Sequence, residues 1–349
     1  MDRIVSVRQI NLALQGGGAH GAFTWGVLDR LLEDEEIEVA AISGTSAGAL
    51  NGAAFKSGMI SDGRDGAKAA LDALWTQVGA KDDGGIAPWM QPFLPSPAVV
   101  SQLLEMSPGF QISDAASRVF SPYGSGPLYK NPLTDIVAKF DYDEVCSGDG
   151  PEFFVSATNV RNGKIRVFRG LEITPDVIMA SACLPTLFRA VEIKDPRTGA
   201  VEAYWDGGYT GNPALFPLFE AHLPDDVVVV NINPLCRPDV PRTAQDIQNR
   251  INEISFNTSL LRELRAINFV RTLIAAGKVK PGTMKDVLIH MIADDDLMND
   301  LSVATKLVPT PYILDRLKKA GRRAASNFLE HDKAKLGRES SIDLRAMFD

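Results

Sequence analysis

The sequence predicts an α/β protein organised on a parallel sheet, and three observations predict it. Two apolar runs, residues 8–15 and 37–42, each lead through a glycine-bearing turn into a helical pattern. A third run, DVVVVNIN at 226–233, is apolar on both faces, as a strand covered by helices on both sides must be. Strand–turn–helix units in this order give parallel pairing through right-handed crossovers. With 349 residues, 45% of them hydrophobic, the chain can fill one large domain or two small ones.

The first unit opens with RQINLALQ (8–15), a short buried strand, and GGGAHG follows at 16–21. Residues 22–34 then place Phe23, Val27, Leu28, Leu31 and Leu32 on one side at helical spacing. Gly26 inside that helix costs about 1 kcal/mol against alanine, and it fits a helix pressed close to a sheet. The second unit is the strand 37–42, a tight turn, and a helix opening at Ala47. Residues 80–130 break the pattern. Pro88, Pro92, Pro95 and Pro97 interrupt regular structure around Trp89, Met90, Phe93 and Leu94, which reads as a loop packed on the body or as a greasy lid. Strands return at 152–159, 165–168 and 226–233, with a last one at 286–292. Between them, 243–277 reads as a long helix carrying Ile247, Ile251, Ile254, Leu261, Leu264, Ile267 and Val270. A further helix spans 310–334, with Arg316, Lys318, Lys319, Arg322 and Arg323 on its polar side. That side could meet an anionic membrane, but a solvated face is the plainer explanation.

The formal net charge of −8 repels polyphosphate, so nucleic acid is not an expected partner. Cys146, Cys183 and Cys236 are odd in number, far apart and without metal-ligand spacing, so neither a disulfide framework nor a zinc site is expected. No run approaches ~18 uninterrupted apolar residues, the length of a membrane-spanning helix. The first residues do not read as a signal peptide, because Gln15 and three glycines interrupt the short apolar run. The expected location is the cytoplasm.

Three motifs carry chemistry. Gly44-Thr45-Ser46-Ala47-Gly48 is a G-x-S-x-G sequence between a strand and a helix. Its glycines permit sharp dihedrals that lift the Ser46 hydroxyl out of the strand, beside the positive end of the next helix. A helix N-cap would use the same residue types. Gly16-Gly17-Gly18-Ala19-His20-Gly21 satisfies G-x-G-x-x-G. A dinucleotide site would want an acidic residue at the end of the next strand, about 20 residues on. Here that strand ends in Ala40-Ala41-Ile42-Ser43-Gly44, and Glu36 and Glu38 lie at its start. As an oxyanion hole, by contrast, the glycines would bring bare N–H groups beside the serine of the neighbouring strand. The third motif, AYWDGGYTGNP (203–213), sets Asp206 after a short strand and before Gly207 and Gly208, among Tyr204, Trp205 and Tyr209. An ordinary aspartate, with a pKa of about 3.9, is a poor base for a hydroxyl and would have to be desolvated. Of the four histidines, His20, His222, His290 and His331, none occupies an obvious turn after a strand. A Ser-His-Asp triad is therefore the weaker alternative.

Together and in this order, the three motifs resemble the patatin-like phospholipase family, over residues 10 to about 215. ASACLPTLF (180–188) looks like that family's small-residue segment before the aspartate, and 255–270 looks like the helical tail of its bacterial members. The resemblance implies a three-layer α/β/α fold with a mostly parallel central sheet and C-terminal helices. It implies a hydrolase domain over 8–300, with 80–130 as a lid or irregular insertion and 301–349 as a helical extension packed on or beside it. Ser46 would be the nucleophile and Asp206 the general base of a dyad without histidine. The backbone of Gly16, Gly17 and Gly18 would supply the oxyanion donors, with Gly21, His20, Gly44, Gly48, Gly207 and Gly208 shaping the motifs. Neither cofactor nor metal is implied. The partner would be a lipid or other acyl ester, met in the cytoplasm or at a membrane periphery. One position departs: the family usually carries Arg or Lys where this chain has His20, which could instead carry a proton. A triad esterase or polyester depolymerase, a Rossmann-type nucleotide-binding protein and a scaffold with a dead site stay open as alternatives.

Overall fold

The computed structural model describes residues 7–80, 96–111, 121–280 and 282–348. Within them eight strands form one sheet: β1 (Arg8–Leu14), β2 (Ile37–Gly44), β3 (Glu152–Asn159), β4 (Ile165–Arg169), β5 (Val191–Lys194), β6 (Val201–Asp206), β7 (Asp226–Val230) and β8 (Leu288–Ile292). The order is β5-β6-β3-β2-β1-β7-β8, with β4 also on β3. From β3 to β8 every neighbour along that path is parallel, while β4, β5 and β6 pair antiparallel. Leu14 stands opposite Gly44, so the turns after β1 and β2 leave the sheet side by side. The antiparallel β6 brings Asp206 opposite Ala157, just beyond the Val155 that pairs with Gly44.

Alternation along the strands divides the core into two. Ile10, Leu12, Leu14, Val228 and Val230 face one side, where they pack with α1 (Gly21–Leu31) and α2 (Ala47–Ala80). Ala13, Ala41, Phe154, Val227 and Val229 face the other, with Leu260 and Leu264 of the long helix Ala244–Ala275. Helices on both faces of a mostly parallel sheet make the three layers. Among the described residues no helix is long and apolar enough to cross a membrane.

Two sequence expectations change. The helical residues Pro97–Met106, here α3, lie inside the stretch expected to be irregular. Pro97 opens that helix, where a missing N–H leaves no bond unmade. Residues 81–95 and 112–120 of the proposed lid lie outside the described residues. Gly26 does pack closely, but against a helix. We name the long helix Ala244–Ala275 α4 and the helix Pro311–His331 α5. A Cβ on Gly26 would stand 1.9 Å from the Lys318 carbonyl oxygen of α5, and one on Gly321 would stand 2.0 Å from the Phe23 oxygen of α1. The basic side of α5 is divided: Arg322 and Lys318 turn onto the body, while Arg316, Lys319 and Arg323 are exposed. Arg322 pairs with Asp29 and Glu33, Lys318 lies 3.8 Å over the Trp25 ring, and Lys319 meets Asp315 at 2.7 Å.

Candidate active site

The turn from β2 into α2 holds Ser46 in a conformation that side chains resist. Its φ is +55°, and it is the one non-glycine residue with positive φ among those described. The neighbours enforce this. Thr45 donates its N–H to Leu14 O at 3.3 Å, while its hydroxyl bonds Gly211 O at 2.7 Å and Ser156 Oγ at 2.6 Å. Ser46 itself donates its N–H to Ser181 Oγ at 2.9 Å. Room for the turn comes from glycine. A Cβ on Gly48 would stand 2.1 Å from Leu14 O, and one on Gly44 2.7 Å from Gly48 O. On the first loop, a Cβ on Gly16 would stand 2.6 Å from the Cβ of Ser46, and one on Gly21 equally close to that of Ala47. The two motifs are thus in van der Waals contact.

Asp206 completes the group. Its N–H bonds Cys183 O and its carbonyl accepts from Thr158 Oγ1, both at 2.8 Å, which fixes the end of β6. A Cβ on Gly207 would stand 2.2 Å from Ser156 O, so only glycine can follow the aspartate. Gly208 N–H donates to Asp206 Oδ1 at 2.8 Å, and Ser46 is the other neighbour that favours the charged carboxylate. Asp206 is 2% exposed. Burial pushes its pKa up to about 7, against the opposing pull of Gly208 and Ser46. That is the desolvated carboxylate a hydroxyl needs as its base. Of the three aromatics near the motif, Tyr209 stands over it, edge-on to Phe256 with ring centroids 5.1 Å apart. Tyr204 is buried against Phe168 instead.

The glycine loop departs from expectation at one residue. Gly16 N–H is engaged by Asn212 Oδ1 at 2.6 Å, so Gly16 is not an open donor. The N–H groups of Gly17 and Gly18 donate to nothing among the described residues. Gly18 has φ +58°, and a Cβ there would stand 2.4 Å from Lys306 O. The Gly16 carbonyl accepts from Asn233 Nδ2 at 2.8 Å, which ties the loop to the end of β7.

The profile of the patatin-like phospholipase family matches residues 12–221, a span that holds the serine elbow, the glycine loop and the Asp-Gly-Gly turn. The chain belongs to the patatin-like phospholipase family. Its solved structural matches include VipD from Legionella pneumophila, at 15% identity and TM-score 0.42, covering 92% of this chain and 66% of that one. They also include the ExoU–SpcU complex of the Pseudomonas aeruginosa type III secretion system, at 16% identity and TM-score 0.30, covering 94% of this chain and 61% of that one. The chain thus spans less than two thirds of the length of either match. No curated protein matches it.

In this patatin-like site every histidine is turned elsewhere. His20 Nε2 meets Thr305 Oγ1 at 2.8 Å, His290 Nε2 meets Asp226 Oδ1 at 2.8 Å, and His331 Nδ1 meets Asn327 O at 3.0 Å. His222 pairs with Glu152. Burial first, then the charges of Lys306 and Arg237, hold the His20 pKa well below its ordinary value. His20 is therefore neutral at pH 7 and bonded away from Ser46, so it is not placed to carry the serine's proton. Among the described residues, Glu152, Glu220 and His222 are close enough to share a metal ion, but they stand at the opposite end of β3, and Arg169 already holds Glu220 at 2.8 Å. Sequence reading missed Ser181, Asn212, Asn233 and Lys306. Ser181, Asn212 and Asn233 fall within segments it singled out, whereas Lys306 has no local signal.

Proposed function

We propose that this protein is a serine acyl hydrolase that cleaves carboxylic esters of lipids through a Ser46–Asp206 dyad and an acyl-enzyme. One observation carries the reading: a serine held at φ +55° on a strand–helix elbow adjoins a buried carboxylate that burial raises to about 7. Asp206 takes the Ser46 proton as Oγ attacks the ester carbonyl. The resulting oxyanion is met by the Gly17 and Gly18 N–H groups, beside the positive end of α2. Collapse expels the alcohol, which receives the proton from Asp206. Water then attacks the acyl-enzyme with Asp206 again as base, returning the carboxylic acid and the free serine. Family membership favours a lipid ester, and the apolar Tyr209–Phe256 pair over Gly208 suits an acyl chain.

The test uses a fluorophosphonate probe and a p-nitrophenyl ester. Wild-type protein is expected to be labelled and to hydrolyse the ester. Ser46→Ala should do neither while keeping its circular dichroism and unfolding midpoint. An alanine variant that still turns over the ester at the wild-type rate rules the mechanism out.

A further inference from the structure

We propose that Lys306 is a positioning residue for the oxyanion loop, its ammonium polarising the Gly16–Gly17 peptide through the side chain of Asn233. The contacts run in one direction. Lys306 Nζ donates to Asn233 Oδ1 at 2.9 Å, and Asn233 Nδ2 donates to Gly16 O at 2.8 Å. The peptide unit whose oxygen is Gly16 O has Gly17 N–H at its other end. Hydrogen bonds in series polarise one another, so a cation at the far end of this chain strengthens the Gly17 N–H as a donor. Asn212 Nδ2 adds a longer bond to the same oxygen at 3.3 Å. Asn233 is fully buried, which keeps water from screening the relay. The Lys306 backbone takes part too, since its carbonyl oxygen seats Gly18 at a distance only glycine permits.

The charge on Lys306 is not cancelled locally. Glu253 stands 3.9 Å from Nζ, but Arg237 already grips that carboxylate at 2.8 and 2.6 Å and Arg250 reaches it at 3.3 Å. Three cations therefore face one anion. His20, on the loop, is neutral, and Glu105 of α3 is half-buried with its pKa raised by burial. Burial holds the Lys306 pKa down to about 8, with Glu253 raising it and Arg237 lowering it. The ammonium is therefore charged at pH 7 and titrates just above it. In this chain the loop's positive charge comes from a short helix, Val303–Leu307, distant in sequence.

The inference rests on the Ser46 reading, and the experiment separates the two. Fluorophosphonate acylation and ester kcat and KM are measured against pH for wild type, Ser46→Ala, Lys306→Met and Lys306→Arg. In Lys306→Met, acylation and kcat should fall about tenfold, less than the ~10²–10³ of losing a donor outright, with KM changed less than about twofold. Lys306→Arg should recover most of that loss. The alkaline fall in wild-type kcat should move well up in Lys306→Arg, because a guanidinium stays charged. Unchanged kinetics in Lys306→Met, or an alkaline fall in Lys306→Arg at the wild-type pH, overturns the relay and leaves the hydrolase reading standing. The arginine arm decides the matter even if the methionine variant misfolds. Labelling of Ser46→Ala overturns the reading and the relay with it.

Discussion

Asp206 carries a stability penalty that the proposed mechanism requires. Its pKa is near 7 in the folded protein and near 3.8 when unfolded, so the folded state binds its proton more tightly. Stability therefore falls as pH rises between those values and levels off above about 7, to a ceiling of about 4 kcal/mol. Asp206→Asn keeps an acceptor for the Gly208 N–H and removes the charge. It should abolish ester hydrolysis yet unfold at higher urea than wild type at pH 8, with the gap closing toward pH 4. Wild-type activity should fall on the acid side of pH 7 as the base is protonated, which a pH profile of kcat/KM checks. Both Ser46 and Asp206 could be picked out from sequence because each sits beside glycines that a tight turn demands. The engagement of Gly16 N–H by Asn212 could not, because its partner is almost two hundred residues away.

The helix pair α1 and α5 shows what a pattern leaves unsaid. Gly26 signalled a close approach, but glycine reports only that something is near. The neighbour is the α5 backbone, and Gly321 makes the reciprocal approach. Either glycine replaced by alanine drives a methyl group into a carbonyl, where overpacking typically costs about 1–3 kcal/mol. Gly26→Ala and Gly321→Ala should each lower the urea midpoint by that order. A neutral result for both would mean that the helices separate easily. The helix at Ala47 and the strands at β3, β4 and β7 were legible from apolar runs and turn residues. By contrast β5 has four residues alternating between half-buried and exposed, and no run announces it.

Across the whole chain the site is assembled from the glycine loop, the elbow, β6 and a short helix near residue 306. The α5 side chains Ile313, Leu317 and Phe328 enter the same apolar cluster as Ile10 and Leu12 of β1. A chain ending at residue 300 should therefore lose both cooperative unfolding and probe labelling. Retention of either would show that 301–349 is dispensable. Sequence by itself determined the α/β class, the serine elbow, the glycine loop and the Asp-Gly-Gly turn, because local periodicity and backbone freedom are written in adjacent residues. Only the tertiary structure decided which N–H groups stay open, what raises the Asp206 pKa and which cation backs the loop. Desolvation and hydrogen-bond partnership depend on what packs across space, and distance along the chain carries no record of that.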